Sequence, residues 1–521
     1  MFSSLPYNQD GLTECRIAGD IQAFGSLKYA DDSYYSSTHS IITPLYNLLL
    51  AFVASVLGSI PLDVAQIVVA TLAIITVVGV YRIALRITKV FKEAFAAGLF
   101  VGLLGTFVFL TGSTWKASLG VSMLVLLFYA YMNRMYRRMF VIEVIVLAML
   151  PFVHHLVMVI GYFSIAFLTI WSVYFATVHG SLRKRNVVDV AVLSVLSLAA
   201  YSYYSAVSLD RLEYIRSATG LMSMVVVFLA LVGVMLLVLT RKSHSKFSFA
   251  PIPALAVFVL FAIDYFYPIF PYDPGSPRFV LILVASLAVL VGFAWLGLED
   301  LIESRSRYRA LPLCILLPVA ALFGFSLSSG LGLSAHQVMY RSFDFADIAL
   351  ALGVSVGLLH FRKRPRAQAI AIFVVVVVLL VSFPFSYGTG TLLGIRHDTQ
   401  SYEVDALEWA DGSAGTSMML QSDERLSYVA TALYGFERMP YLPTRFFEAG
   451  VFGTGALYVI EDDWTTVGVN DYPRGHRVIN ETKVVMVLMA SDVLYIGGSQ
   501  SNRILIFVSS IPGQDAVFGY H

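Results

Sequence analysis

Lys and Arg alternate from one loop to the next between the apolar segments of this chain. The loops around Arg82/Arg86, Arg134/Arg137/Arg138, Arg183/Lys184/Arg185, Arg241/Lys242, Arg305/Arg307/Arg309 and Arg362/Lys363/Arg364 carry about 20 cations, and the five loops between them about 5. Cation-rich loops are retained on the cytoplasmic side, so the alternation threads each segment across a bilayer and orients it. The poor loops then face out. So do two polar, soluble-looking stretches, residues 1–64 and 389–521, which bracket a transmembrane helical domain at 65–388.

Composition agrees. Only 13% of the residues are charged and 58% are hydrophobic, against roughly 25% charged in a soluble domain. The net charge of +1 gives no case for nucleic-acid binding. Apolar runs near 20 residues suggest twelve spans, at 65–84, 94–111, 117–132, 139–152, 157–178, 187–204, 220–240, 249–267, 278–298, 309–326, 343–360 and 368–386. Pro151 and the His154-His155 pair suggest a break at the outer surface between the fourth and fifth. Residues 41–57 are also apolar. Counting them as a span would put the N-terminus inside, so an interfacial or re-entrant helix on the outer face is expected. The chain opens with a polar, loop-like stretch and shows no signal peptide. An outer N-terminal segment needs a preceding helix to deliver it, so a thirteenth span before residue 1 is expected.

From Gly388 the pattern changes. Short strand-like runs occur at 416–421, 456–461, 483–489, 492–498 and 503–509, with helical patterns at 401–412 and 424–435 and a hairpin turn between the last two runs. A small extracytoplasmic α/β domain is expected, carrying an N-glycosylation sequon at Asn480-Glu481-Thr482. Cys15 and Cys314 are far apart, which argues against a disulfide, and no HExxH, P-loop or GxSxG pattern occurs.

Candidate site residues collect at the outer surface, because the cytoplasmic loops are short and basic. Asp10 heads the polar N-terminal segment, where a carboxylate near the membrane could act as general base; it also reads as an N-cap for a helix over 11–24. Glu14 follows it as a candidate substrate-binding group. Lys116, Arg278 and Arg341 are isolated outer cations that could converge on a lipid phosphate or snorkel to headgroups. His154 and His155 could orient a phosphate or cap a helix end. Asp264, with Tyr265 and Tyr267, precedes the 268–277 loop and is an ionisable residue close to a span.

The segment PYNQDGLTECRIAGDIQAFGSLKYADDSYYSSTHSIITPLYNLLLAFVASVLG resembles the first large outer loop of the GT-C membrane glycosyltransferases, with its D-G-L, G-S-L and T-P-L-Y-N-L-L-L elements. The resemblance covers about 50 residues by motif and the membrane region by layout. It implies Asp10 as the first-loop catalytic acid, 41–57 as a juxtamembrane helix, and Lys116 and Arg341 as cations for the donor phosphate. It also implies a polyprenyl (dolichyl-type) phosphate-linked sugar as donor, a glycan, lipid or protein acceptor, inverting transfer and a plasma-membrane location. The acid pair that many members carry in the second outer loop is replaced by Gly-Ser-Thr-Trp-Lys, which leaves a divalent metal possible but open, and no WWDYG motif occurs. A transporter or lipid flippase, which would need polar groups near the midplane and broken helices, and a non-catalytic scaffold are the competing classes.

Overall fold

The computed structural model describes residues 9–27, 42–178, 184–207, 277–303, 310–328, 333–382, 399–414, 418–436, 456–466, 468–471, 475–489, 491–498 and 503–509, with Leu255 and Val259. The N-terminal layer is α1 (Gln9–Phe24) and α2 (Leu45–Leu57). The apolar region continues as α3 (Pro61–Thr88), α4 (Phe91–Leu103), α5 (Gly105–Gly112), α6 (Lys116–Met132), α7 (Arg137–Met149), α8 (His155–Val178) and α9 (Lys184–Val207), then α10 (Pro277–Glu303), α11 (Leu311–Ser328), α12 (Leu333–His360) and α13 (Pro365–Ser382). Helices thus occupy ten of the twelve positions expected for spans; 220–240 and 249–267 lie outside the described residues. Among the described residues, four helices are long and apolar enough to cross a bilayer: Pro61–Thr88, His155–Tyr174, Val187–Val207 and Pro365–Ser382. Their outward sides expose Ile67, Ile74, Leu198, Phe373 and Leu380. Apolar groups facing outward along a spanning length suit lipid rather than water, and the chain is a membrane protein.

Gly58 and Pro61 separate α2 from α3. Gly58 takes φ +63 and its N–H closes on Ser55, while Ser59 N–H reaches the Ala54 carbonyl. Pro61 then starts α3 at a position that needs no N–H. Residues 41–57 therefore do not run on into the following span.

The expected span at 94–111 is two helices. The chain leaves helical geometry at Leu104, and Gly105 lies so close to α13 that a Cβ there would come within 1.9 Å of the Ser382 carbonyl oxygen. The Gly105 N–H donates to Ser382 Oγ at 3.1 Å, and Thr106 donates to the buried carboxylate of Asp347 on α12 at 2.7 Å. Polar groups at a break inside the apolar region need protein partners, and these are two of them.

The tightest crossing is between α10 and α12. A Cβ on Gly297 would sit 1.7 Å from the Gly353 carbonyl oxygen, and one on Gly357 would sit 2.1 Å from that of Phe293. Gly353 and Gly357 form a GxxxG pair that lets the two backbones touch. Overpacking typically costs about 1–3 kcal/mol, and here the obstacle is backbone, which cannot rotate away. Gly353→Leu is expected to lower the thermal unfolding midpoint of the detergent-solubilised protein by several degrees. Gly412→Ala, where added atoms meet nothing within 4 Å, is expected to leave it unchanged or slightly raised.

The C-terminal elements are α14 (Ser401–Ala414), β1 (Met419–Gln421), α15 (Glu424–Tyr434), β2 (Ala456–Glu461), β3 (Val469–Asp471), β4 (Gly475–Arg477), α16 (Glu481–Met489), β5 (Ser491–Gly498) and β6 (Arg503–Ser509). One sheet has the order β1-β2-β6-β5, with β1 parallel to β2 and the other pairs antiparallel; β3 and β4 form a separate ribbon. The run 483–489, expected as a strand, is helical. Asn480 Oδ1 accepts the Thr482 N–H at 2.9 Å and starts α16, and only Val484 and Val487 on it are buried. That i, i+3 spacing is a helical period hidden in a uniformly apolar run.

Helix α1 links this sheet region to the helical bundle. Leu12 of α1 is buried in the core formed by Leu407, Leu426, Val429 and Ala430, while Cys15, Ala18 and Ile21 of the same helix pack with Tyr46 and Leu50 of α2 and Val68 and Val69 of α3. Helix α1 is therefore clasped between the C-terminal elements and the helical bundle.

Candidate functional site

Helix α1 begins at Gln9, so Asp10 lies within its first turn instead of capping it from outside. Asp10 and Glu14 are four residues apart on that helix and share a face; the Asp10 side chain lies outside the described ones. Glu14 is well defined. Its Oε1 is 3.3 Å from Lys116 Nζ, and its Oε2 accepts from Asn47 Nδ2 at 2.5 Å. The Asn47 amide also donates to the Glu14 carbonyl at 3.1 Å, and Lys116 Nζ donates to Thr43 Oγ1 at 3.2 Å.

Lys116 opens helix α6 and is buried, with 8% of its side chain exposed. An ammonium at the positive end of a helix and out of water is doubly unfavourable, so it needs a carboxylate. Glu14 supplies it from α1. Thr43 is fixed from the other side, because Tyr203 of α9 donates to the neighbouring Ile42 carbonyl at 2.8 Å and stacks edge-on against Phe152. The hydroxyl of Thr114, two residues before Lys116, is buried with no hydrogen-bond partner among the described residues.

His154 lies between the 3-10 turn Leu150–Phe152 and α8. Its Nδ1 accepts the Leu156 N–H at 3.2 Å, and its ring stacks on His155 at 4.4 Å between centroids. Burial, then the neighbouring His155, Arg341 and Lys116, hold the His154 imidazole well below its usual range. A neutral ring with Nδ1 accepting carries its proton on Nε2, leaving one N–H donor. Arg341 and Lys116 thus both bear on His154, Arg341 bears also on His155, and Glu14 is paired with Lys116. Arg341 is carried on α12, which also makes the glycine crossing with α10.

The other expected site residues lie outside the described side chains. Arg278 is the second residue of α10, with its side chain outside the described ones; Asp264, Tyr265 and Tyr267 lie outside the described residues. Sequence reasoning missed Thr43 and Asn47. Two polar residues four apart in an otherwise apolar run were the available signal. Cys15 is buried beside this cluster. Burial first, then the Glu14 charge, push its thiol up to about 12, so it is not a nucleophile.

Among the described residues, two further buried ionic clusters lie elsewhere. Arg134, at the opposite end of α6 from Lys116, pairs with Asp189 at 3.0 Å and lies over the Tyr131 ring at 3.8 Å. In the C-terminal region Arg425 meets Glu403 at 2.8 Å and Glu461 at 2.6 Å, with Asp423 at 4.0 Å; all four are buried.

The helical bundle, the α1–α2 layer and the appended sheet together make a GT-C-like fold. The particular structures it is similar to are archaeal. One is the oligosaccharyltransferase AglB from Archaeoglobus fulgidus in complex with an inhibitory peptide and a dolichol-phosphate, with TM-score 0.51 and 12% identity over 88% of this chain and 66% of that one. The apo form of the Archaeoglobus fulgidus enzyme gives TM-score 0.48 at 12% identity, and the form tethered with an acceptor peptide gives 0.47 at 11%; each match covers 89% of this chain and 66% of the other. The chain therefore spans just under two thirds of the length of these proteins. No family profile and no curated protein sequence matches it.

The metal left open by the first-loop resemblance can be tested on the donor set. Among the described residues no group of three or more His, Cys, Asp or Glu is placed to hold an ion. The described carboxylate at the site, Glu14, is already engaged by an ammonium and an amide. These residues do not fit a divalent metal.

Proposed function

We propose that this chain is a membrane glycosyltransferase that moves a sugar from a polyprenyl (dolichyl-type) phosphate to an acceptor hydroxyl on the outer face, with inversion. The observation that carries the reading is the pairing of Lys116 with Glu14 on the helix that bears Asp10, with Lys116 and Arg341 both bearing on the buried His154. A fold similar to a protein solved with a dolichol-phosphate supports it. In the reaction Asp10 takes the proton of the acceptor hydroxyl as its oxygen attacks the anomeric carbon. The bond from that carbon to the phosphate oxygen breaks, and the lipid phosphate leaves as an anion. Lys116, Arg341 and the His154 Nε2–H face the charge that develops there, with Arg278 as a further cation, and a site shielded from water strengthens each contact. A single displacement inverts the anomeric centre.

By this reading the helical bundle crosses the membrane, with the N-terminal layer and the C-terminal α/β domain outside. The clasp on α1 gives that domain a role: it holds the helix that carries the base. A transporter reading draws on the break at Leu104 and on Asp347, but both are accounted for by packing on α12 and α13. The test is transfer of radiolabelled sugar from polyprenyl-phosphate donors to an acceptor extract by membranes containing the protein. Transfer above membranes lacking it is expected. Its absence with every common donor, together with donor-independent flux of lipid-linked sugar across vesicles, would replace the enzyme reading with the transporter.

A further inference from the structure

We propose that Lys116 takes the place of a divalent cation in this site, so that the donor phosphate is held without a metal ion. The inference rests on the glycosyltransferase reading for the identity of the anion, but the cation chemistry stands on the geometry itself. A divalent ion in an all-oxygen site is held by several carboxylates and carbonyls. Here the face of α1 that carries acids meets an ammonium instead: Lys116 Nζ is 3.3 Å from Glu14 and 3.2 Å from Thr43 Oγ1. Asn47 ties down the second Glu14 oxygen, which a bidentate metal contact would need.

The position of the ammonium is imposed by the fold. Lys116 is the first residue of α6, and its Nζ is drawn toward α1 by the carboxylate and toward Ile42–Thr43 by the hydroxyl that Tyr203 steadies. Glu14 cancels its charge in the resting site. Arg341 and the neutral His154 add one cation and one N–H donor nearby. A phosphate arriving beside Lys116 meets a fixed ammonium, which binds phosphate as a point charge.

The experiment uses the full chain in detergent and two probes, Mn2+ alone and a polyprenyl monophosphate. Wild type is expected to take up no stoichiometric Mn2+ by electron paramagnetic resonance titration, and to bind the polyprenyl phosphate equally, within about twofold, in EDTA and in Mn2+. Lys116→Met is expected to weaken that binding at least tenfold in both. Should that variant fail to fold because Glu14 is left unpaired, the uncharged pair Glu14→Gln/Lys116→Met gives the same reading. One Mn2+ per wild-type chain, abolished by Glu14→Gln, would overturn the inference, as would a tenfold loss of lipid binding in EDTA. If the polyprenyl phosphate binds in neither condition, the donor reading fails, and the Mn2+ titration alone still decides the cation.

Discussion

Asp10→Asn is expected to lower sugar transfer at least about 100-fold while leaving expression and thermal stability near wild type. General-base assistance contributes typically 10²- to 10⁴-fold, and asparagine keeps the shape of aspartate while losing the basic oxygen. The residue lies in the first turn of α1, and that helix is held by Leu12 on one side and by Cys15, Ala18 and Ile21 on the other. None of those contacts depends on the Asp10 charge, so the fold should survive. Transfer rates in membranes, normalised to protein level and measured at saturating acceptor, are the readout. Equal rates for wild type and Asp10→Asn would remove Asp10 from the chemistry.

The second large effect is expected at Arg425. Arg425→Met leaves Glu403, Glu461 and Asp423 buried around a missing cation, and breaking a buried ion pair from one side costs about 3–5 kcal/mol. Asp423 also caps α15 by accepting the Leu426 N–H at 2.8 Å, so the loss falls at the start of the helix that packs Leu426, Val429 and Ala430 around Leu12. Hydrogen exchange on the full chain should show β2 and α15 losing protection first and α1 next, with transfer activity falling alongside. Unchanged protection in α1 would show that the clasp does not depend on this network.

The same network sets a pH dependence. Burial raises the Glu461 carboxyl well above the usual carboxylate range; Arg425 pulls it down, and Glu403 and Asp463 push it up. Burial also raises Asp423, against the pull of Arg425. Both groups bind protons more tightly folded than unfolded. Their contribution is therefore full below the unfolded carboxylate pKa, about 4, and is lost as pH rises through the raised folded values. Protection of β2 and α15, corrected for intrinsic exchange rates, should be greater at pH 5 than at pH 8. The opposite order would mean that Arg425 outweighs burial.

The polytopic helical class, the positions of most helices and the sheet strands at 419–421, 456–461, 491–498 and 503–509 were legible along the chain, since apolar run length, loop charge and strand alternation are local signals. The helix at 481–489 was not, because a run apolar on every side hides its period and the Asn480 cap decides it. The break at Leu104 was likewise silent; it depends on the approach of Ser382, nearly 280 residues away. For the site, sequence alone picked out Asp10, Glu14, Lys116, His154, His155 and Arg341 as polar residues on one side of the bilayer. It could not pair them. Only tertiary packing sets Glu14 against Lys116, brings Thr43 and Asn47 to them, and carries Arg341 in on a helix fixed by glycines against its neighbour. The difference is physical: membrane insertion reads hydrophobicity segment by segment, whereas the charge balance of a buried site depends on which helices touch.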